Sequence, residues 1–476
     1  MNTPNTLFRL DHLKLKNFRC FDEISVDFHP DLTVIVAENG SGKTATLDAI
    51  ALALDVFVKA VAYDKQSQGF DRMDVRMVPE ATAPGTPLKM THQLPTEFSA
   101  EGIVGGTNVT WGKSLEKIGA DRARSSTRDA KTIYGIARQM RTKAEDAIRT
   151  LNVEIVTMPI VAYYGTGRLW NLHYLTKEKR SVWPSMHGRY SAYQDCLTSY
   201  SSFKAFSAWY QETANHAHSS VSKASDPENR PHEHLAAVRE AVSTVLNPTG
   251  WTNIDWPFFP ARDDGAVQSD GPLVVEHSEK GRIPATFLSD GIRTMVGLVG
   301  DLAHRCVQLN PHLGDRAARE TPGVLLIDEV DMHLHPSWQQ LIVKLLHDAF
   351  PKMQMVLSTH SPQVVSTVRK ENIRILGQID DATWVAREPS RNPFSHSNLL
   401  SLEAVMGVAA CPPMPLTATY REYQCLVGDD KHDSDRAIEL RNLLENEWGK
   451  TDSELLLMDV AIRKNETLRK FRKQQS

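Results

Sequence analysis

Residues 34–54 read VIVAENGSGKTATLDAIALAL. A phosphate-binding loop follows the pattern G-x-x-x-x-G-K-[ST], and Ala37 stands where its first glycine belongs. The flanks give the remnant its meaning. Upstream, the apolar and β-branched run 32–37 predicts a buried strand. Downstream, Leu47, Ile50, Ala51 and Leu54 recur at helical spacing on one face. Strand, glycine-rich turn and helix is the setting such a loop requires. Gly40 and Gly42 would let backbone N–H groups turn inward around phosphate oxygens, and the helix start adds partial positive charge. Lys43 would reach the β- and γ-phosphates, and the Thr44 hydroxyl would ligate Mg²⁺. A structural strand-to-helix turn is the competing reading, and the loop alone leaves both open.

Three later stretches bear on that choice. GVLLIDEVDMHLHP (323–336) is a second apolar strand running into two carboxylates. Asp328 at the strand end can hold Mg²⁺ through water, and Glu329 is placed to orient or deprotonate an attacking water. MQMVLSTHSPQVV (353–365) is a third strand, ending in Ser358, Thr359 and His360. A histidine past a buried strand is commonly structural, but this one follows the other two elements in the order an ATPase needs. ATFLSDGIRTMVGLVGDLA (285–303) offers Ser289 as a helix cap and Gly291 in the first turn, with free N–H groups for an anion. Alone, that stretch is a plain helix cap.

Together these stretches resemble ABC/SMC-type ATPases of the branch containing RecF-like and OLD-like proteins. LDHLKLKNFRCFDEISVDF (10–28) is similar to that branch's first hairpin, with NFR at Asn17–Arg19. AENGSGKT (37–44) matches the Walker A loop apart from Ala37, LSDGIRT (288–294) the signature, and LLIDE (325–329) Walker B. VDMHLHP (330–336) corresponds to the D-loop region and STHSP (358–362) to the switch histidine. The resemblance spans residues 10–365 in the family's order. It implies an α/β fold: an ABC-type ATPase head, a P-loop NTPase with a mixed sheet and an antiparallel β subdomain, carrying a helical insert and a helical C-terminal tail. It implies ATP and Mg²⁺ as cofactors, with nucleotide contacts from Arg19, Asn39, Gly40, Ser41, Gly42, Lys43 and Thr44. Ser289 and Gly291 would serve the phosphate loop of a second copy, in a head-to-tail pair. Thr44 and Asp328 would hold the metal, and Glu329 and His360 would act in catalysis.

The head reads as split. Its first part covers 1–170, with alternation and glycine turns around 95–112, a long polar helix over 127–151 and a strand within 155–170. In this fold that strand leads to a loop that contacts Mg²⁺ and the γ-phosphate. The family usually places glutamine there; this chain has YYGTGR, leaving Arg168 as the candidate phosphate- or partner-sensing residue. Residues 171–250 read as a small helical insert, too short for the coiled-coil arm of SMC or repair ATPases. The head resumes over 251–400, and 401–476 reads as a helical region with three helices, the last bearing an apolar stripe of Leu455, Met458 and Ile462 suited to docking or packing. VGDDKHDSD (427–435) suggests TOPRIM carboxylates, but those follow apolar strands, and these acids lie in a polar link. No His-Asn-His nuclease motif is present, so the chain is expected to hydrolyse ATP without cutting nucleic acid itself.

AYYGTGRLW, DMHLHPSWQ, the short insert and the helical tail further resemble the PtuA-type ATPases of Septu and retron-associated phage defence. That resemblance implies a separately encoded HNH-type nuclease partner and, in retrons, a reverse transcriptase with its DNA–RNA product. The formal net charge of −4 over 476 residues gives no bulk attraction for nucleic acid. Local basic groups remain: ten Lys or Arg against five Asp or Glu between Lys113 and Arg149, and TKEKRSVWPSMHGRY (176–190). They read either as solvated surface or as a phosphate-backbone track without sequence preference. Cys20, Cys196, Cys306, Cys411 and Cys425 form no C-x-x-C pair and no zinc spacing. The best membrane candidate, residues 49–62, is broken by Asp55 and Lys59 and falls short of the ~20 apolar residues a span needs, so a cytoplasmic location is expected. Two functions follow: an ATP-dependent defence component controlling a nuclease, or a RecF/SMC-like repair or recombination ATPase acting directly on DNA. A neighbouring gene for an HNH nuclease separates them.

Overall fold

The β-branched run after Asp31 forms the strand Leu32–Val36, whose last four residues are fully buried. It sits inside a six-stranded sheet of order Thr383–Arg387, Ile373–Ile379, Leu32–Val36, Met353–Ser358, Gly323–Ile327, Ile160–Tyr164. Five of these strands run parallel, and only Thr383–Arg387 is antiparallel to its neighbour. Parallel strands buried on both faces read as continuous apolar runs, which is how 323–327 and 353–358 appear in the sequence. The computed structural model describes residues 7–62, 69–80, 89–118, 123–128, 130–149, 156–167, 188–198, 203–219, 231–257, 272–379, 383–395, 398–409 and 414–475.

A second, antiparallel sheet orders Phe21–Asp27, Phe8–Phe18, Thr96–Val104, Thr107–Ile118 and Ala123–Arg128. Gly105 and Gly106, at φ +58° and +79°, make the tight turn of its central hairpin. Gln354 fastens the two sheets. Its buried side chain accepts from the Leu10 amide at 2.8 Å and donates to the Leu10 carbonyl at 2.7 Å, so one amide acts as an added rung of backbone.

The helix Lys43–Ala62 is caught between the sheets. The spacing predicts one buried face, yet nearly every described position is buried, and the indole of Trp111 donates to the Ala53 carbonyl at 2.9 Å from the antiparallel side. Asp55 (4% exposed) and Lys59 (2%) are buried with the rest. The periodicity missed this because the second sheet that covers the helix is distant in sequence. A helix apolar nearly all round is one covered on all sides.

Helices Phe203–Ser219 and Pro231–Leu246 lie in the stretch read as an insert. Phe206, Tyr210, Val238 and Val242 belong to the same apolar core as the sheets. Residues 7–406 fall in one compact unit. Residues 407–476 form a second unit of helices Pro415–Gly428, Asp435–Trp448 and Ser453–Gln475. Its own core contains Tyr420, Tyr423, Leu440, Leu444 and Leu455, with Met458 and Ile462 packed against it. The stripe read from the tail therefore packs inside this unit. The opposite face of the last helix exposes Leu456, Leu457 and Val460. Among the described residues no helix is long and apolar enough to cross a membrane.

Candidate functional site

Ala37 keeps a negative φ, so the missing glycine imposes no backbone strain. The two glycines that remain are the ones the turn requires. Gly40 and Gly42 hold φ +80° and +87°, and a Cβ on Gly42 would lie 2.2 Å from the Phe21 ring. Asn39 and Gly40 are exposed at the loop tip; Ser41 is half-buried, and its amide donates to the Glu38 carbonyl at 3.3 Å. Lys43 opens the helix, and the first amides of a helix have no acceptor within it. Its Nζ donates to the carbonyls of Ala37 (2.8 Å) and Glu38 (3.0 Å). Burial pulls Lys43 below the usual lysine range, opposed by the charges of Asp328, Glu329 and Asp331. The ammonium thus feels all three carboxylates of the second strand's end.

Thr44 makes the direct link. Its hydroxyl donates to Asp328 Oδ2 at 2.7 Å, across 284 residues of sequence. Ser358 donates to the other oxygen, Oδ1, at 2.5 Å, so two strand ends and the start of the phosphate-loop helix meet at one carboxylate. The Asp328 amide donates to the Tyr164 carbonyl at 2.9 Å. Glu329 follows at φ +48°, a left-handed conformation that non-glycine residues seldom adopt, and its amide donates to Ser358 Oγ at 2.8 Å. Thr359 donates to Asp331 Oδ1 at 2.5 Å. His360 follows it, exposed. A hydroxyl and a carboxylate oxygen this close form a hard-oxygen donor pair of the kind Mg²⁺ takes.

Ser289 occupies the N-cap of helix Asp290–Leu309, but its side chain makes no capping hydrogen bond, contrary to the sequence expectation. Gly291 lies in the first turn, where an added Cβ would come 2.4 Å from the His333 carbonyl. Close packing on the segment after Walker B explains the glycine. Ser289, Gly291, His333 and Trp338 line a cavity of about 410 Å³.

Arg19, read as a nucleotide contact, pairs with two carboxylates. Its guanidinium donates to Asp48 Oδ2 at 2.5 Å and to Asp74 Oδ1 at 2.9 Å. Nothing local in the sequence signals pairs 29 and 55 residues apart. Asp48, which also accepts from the Tyr163 hydroxyl at 2.8 Å, is the residue that motif reading missed. Arg168, Cys411 and residues 176–187 lie outside the described residues. In the basic run, Lys113 is 3% exposed and burial holds it down to about 8, while Arg141 pairs with Glu145 at 2.7 Å. Lys117, Lys131, Arg138 and Lys143 are exposed there. Asp429, Asp430, Asp433 and Asp435 fall at or between helix ends of the second unit. Among the described residues no group of three or more His, Cys, Asp or Glu has metal-holding geometry.

A family model described as AAA domain matches residues 12–217, and one described as AAA domain, putative AbiEii toxin, Type IV TA system matches 214–366. The Retron Vc95 probable ATPase of Vibrio cholerae serotype O1 biovar El Tor is 25% identical, over 93% of this chain and 88% of that protein. The Retron Ec83 probable ATPase of Escherichia coli is 24% identical, over 96% and 87%. Septu protein PtuA of Bacillus thuringiensis is 29% identical over 26% of this chain and 31% of its own. Among solved structures, an SMC head bound to the C-winged helix domain of ScpA overlays 80% of this chain and 97% of that one, at 13% identity and TM-score 0.43. That overlay adds nothing to the sheet order and motif placement, which carry the fold by themselves. Over residues 12–366 the chain is similar to AAA-domain families, over nearly its full length it resembles the retron probable ATPases, and over a shorter stretch it resembles the Septu protein PtuA.

Proposed function

We propose that the chain binds and hydrolyses ATP as the ATPase component of an antiphage defence system of the retron or Septu type. The observation that carries the reading is the 2.7 Å hydrogen bond from Thr44 to Asp328, which joins the phosphate loop to the acidic strand end. Thr44 and Asp328 would hold Mg²⁺, which when bound neutralises charge on the β- and γ-phosphate oxygens. Lys43 and the amides around Gly40 and Gly42 bind the phosphates, and Ser41 and Asn39 shape the loop tip. Glu329, one residue past the metal carboxylate, takes the proton of the attacking water, with His360 beside the same strand ends to orient the terminal phosphate. Arg19 acts on the nucleotide through Asp48 and the phosphate-loop helix.

Ser289 and Gly291 complete the site of a second copy in a head-to-tail pair, because they begin a helix separate from their own chain's phosphate loop. The uncapped Ser289 hydroxyl supports that role. The nearly full-length similarity to retron probable ATPases supports the defence setting. In it, the chain controls a separately encoded HNH-type nuclease and cuts no nucleic acid alone. The four exposed cations on and beside helix Ala130–Arg149 would hold a phosphate backbone loosely.

Glu329→Gln is the test, because it keeps the shape of the base and removes its charge. It should retain ATP binding and lose turnover by ~10²–10⁴. Near-normal hydrolysis in that variant would show that the base is misassigned. Metal-dependent cleavage of DNA or RNA by the lone protein would contradict the proposed division of labour.

A further inference from the structure

The stretch YYGTGR places two tyrosines at the end of strand Ile160–Tyr164, where the related heads are expected to carry glutamine. Successive residues of a strand face opposite sides of the sheet. Tyr163 and Tyr164 do so with hydroxyls that reach two different helices. Tyr163 donates to Asp48 Oδ1 at 2.8 Å on helix Lys43–Ala62, the helix that begins with the phosphate-loop lysine. Tyr164 donates to Asp301 Oδ2 at 2.8 Å on helix Asp290–Leu309, the helix that begins at the signature. The Tyr164 carbonyl also accepts from the Asp328 amide.

We propose that Tyr163 and Tyr164 are paired positioning residues, one setting the phosphate-loop helix and the other locking the signature helix to the metal carboxylate. The proposal rests on the ATP-hydrolytic reading above and adds to it a path between a head's own site and the element it offers to a second copy.

Both acceptors are held from behind. Asp48 also receives Arg19, whose guanidinium is anchored on Asp74. Asp301 also receives Arg305 Nε at 2.8 Å, and Arg305 Nη1 donates to the Ala192 and Gln194 carbonyls at 2.7 and 2.8 Å. Each tyrosine therefore meets a carboxylate whose position is already fixed, and a hydroxyl against a fixed acceptor transmits displacement. The rings are 3% and 2% exposed, and the bond from Tyr164 to Asp301 is buried. Burial, reinforced by Asp48 and Asp301, pushes both phenols above the usual tyrosine range, which keeps them donors at any working pH.

Two core tyrosines that had merely found acceptors would behave alike when the hydroxyls are removed. These two should not. Tyr163→Phe loosens the helix that carries Lys43 and Thr44, so the Kd and KM for ATP should rise about tenfold with kcat nearly kept. Tyr164→Phe frees the signature helix from Asp328 and leaves the loop alone. Its kcat should fall about tenfold or more, as small misplacements of catalytic groups do, with Kd within about twofold.

The experiment uses the full-length protein with Mg²⁺, a fluorescent ATP analogue for Kd, steady-state turnover for kcat and KM, and a melting curve for each variant. A raised KM with kept kcat in Tyr163→Phe, and a lowered kcat with kept Kd in Tyr164→Phe, is the expected result. Equal effects of the two variants on both parameters, or lowered melting temperatures with unchanged kinetics, would overturn the proposal. Absence of turnover in the unaltered protein would instead sink the hydrolytic reading. The Kd of Tyr163→Phe would still decide the phosphate-loop half: a rise supports it and an unchanged value overturns it.

Discussion

Gly42 and Ala37 bracket the phosphate loop and make opposite demands. Gly42 holds φ +87° with the Phe21 ring in the place of any side chain, whereas Ala37 sits at a negative φ. Gly42→Ala should therefore cost about 1–2 kcal/mol from backbone strain alone, and more from the clash. Its ATP binding should weaken about tenfold or more by fluorescence titration. Ala37→Gly, which restores the consensus, should bring no tighter binding and lose about 0.5–1 kcal/mol through added chain entropy. Lys43, Thr44 and Asp328 could be read in the sequence because fixed spacing from a strand end encodes where each side chain goes. Arg19 was legible as part of the family's first hairpin but not in its partners, since Asp48 and Asp74 meet it only through folding. Asp48 itself carries no motif.

At the scale of elements, strands were the most legible part. Runs such as 323–327 and 353–358 are apolar throughout because both faces of the parallel sheet are covered. Helix coverage was less legible. The helix after the phosphate loop reads as one-faced, and the pair 203–219 and 231–246 reads as an appendage because polar segments flank it. Trp209 on the first of that pair stacks on His304 of the signature helix, with ring centroids 3.9 Å apart.

His304 makes this packing measurable. Burial holds its imidazole neutral down to about 3, with Arg305 and His234 assisting and Asp301 opposing. In the unfolded chain the same group binds a proton near 6.5, the ordinary value of a histidine. Between those values the unfolded state binds more protons, so stability is full above pH 6.5 and falls as pH drops towards 3. Denaturant melts at pH 7 and pH 5 should differ by no more than about 2 kcal/mol from this residue. His304→Gln should remove that share of the loss. An unchanged difference would place the acid sensitivity elsewhere.

At the scale of the molecule, one unit holds every phosphate-loop, Walker B, signature and switch residue, and residues 407–476 hold a separate helical core. The three tail helices were legible from their apolar spacing and polar links. That Leu455 is their shared core residue was not, because spacing gives a face and not what covers it. The central claim is that ATP is hydrolysed at the junction of Thr44, Asp328 and Glu329 only when a second copy supplies Ser289 and Gly291. ATPase rate per chain, measured across dilution alongside the mass distribution of the same samples, tests it most directly. The rate should fall with dilution and vanish as the population becomes monomeric. A constant rate per chain in samples shown to be monomers would contradict the shared site.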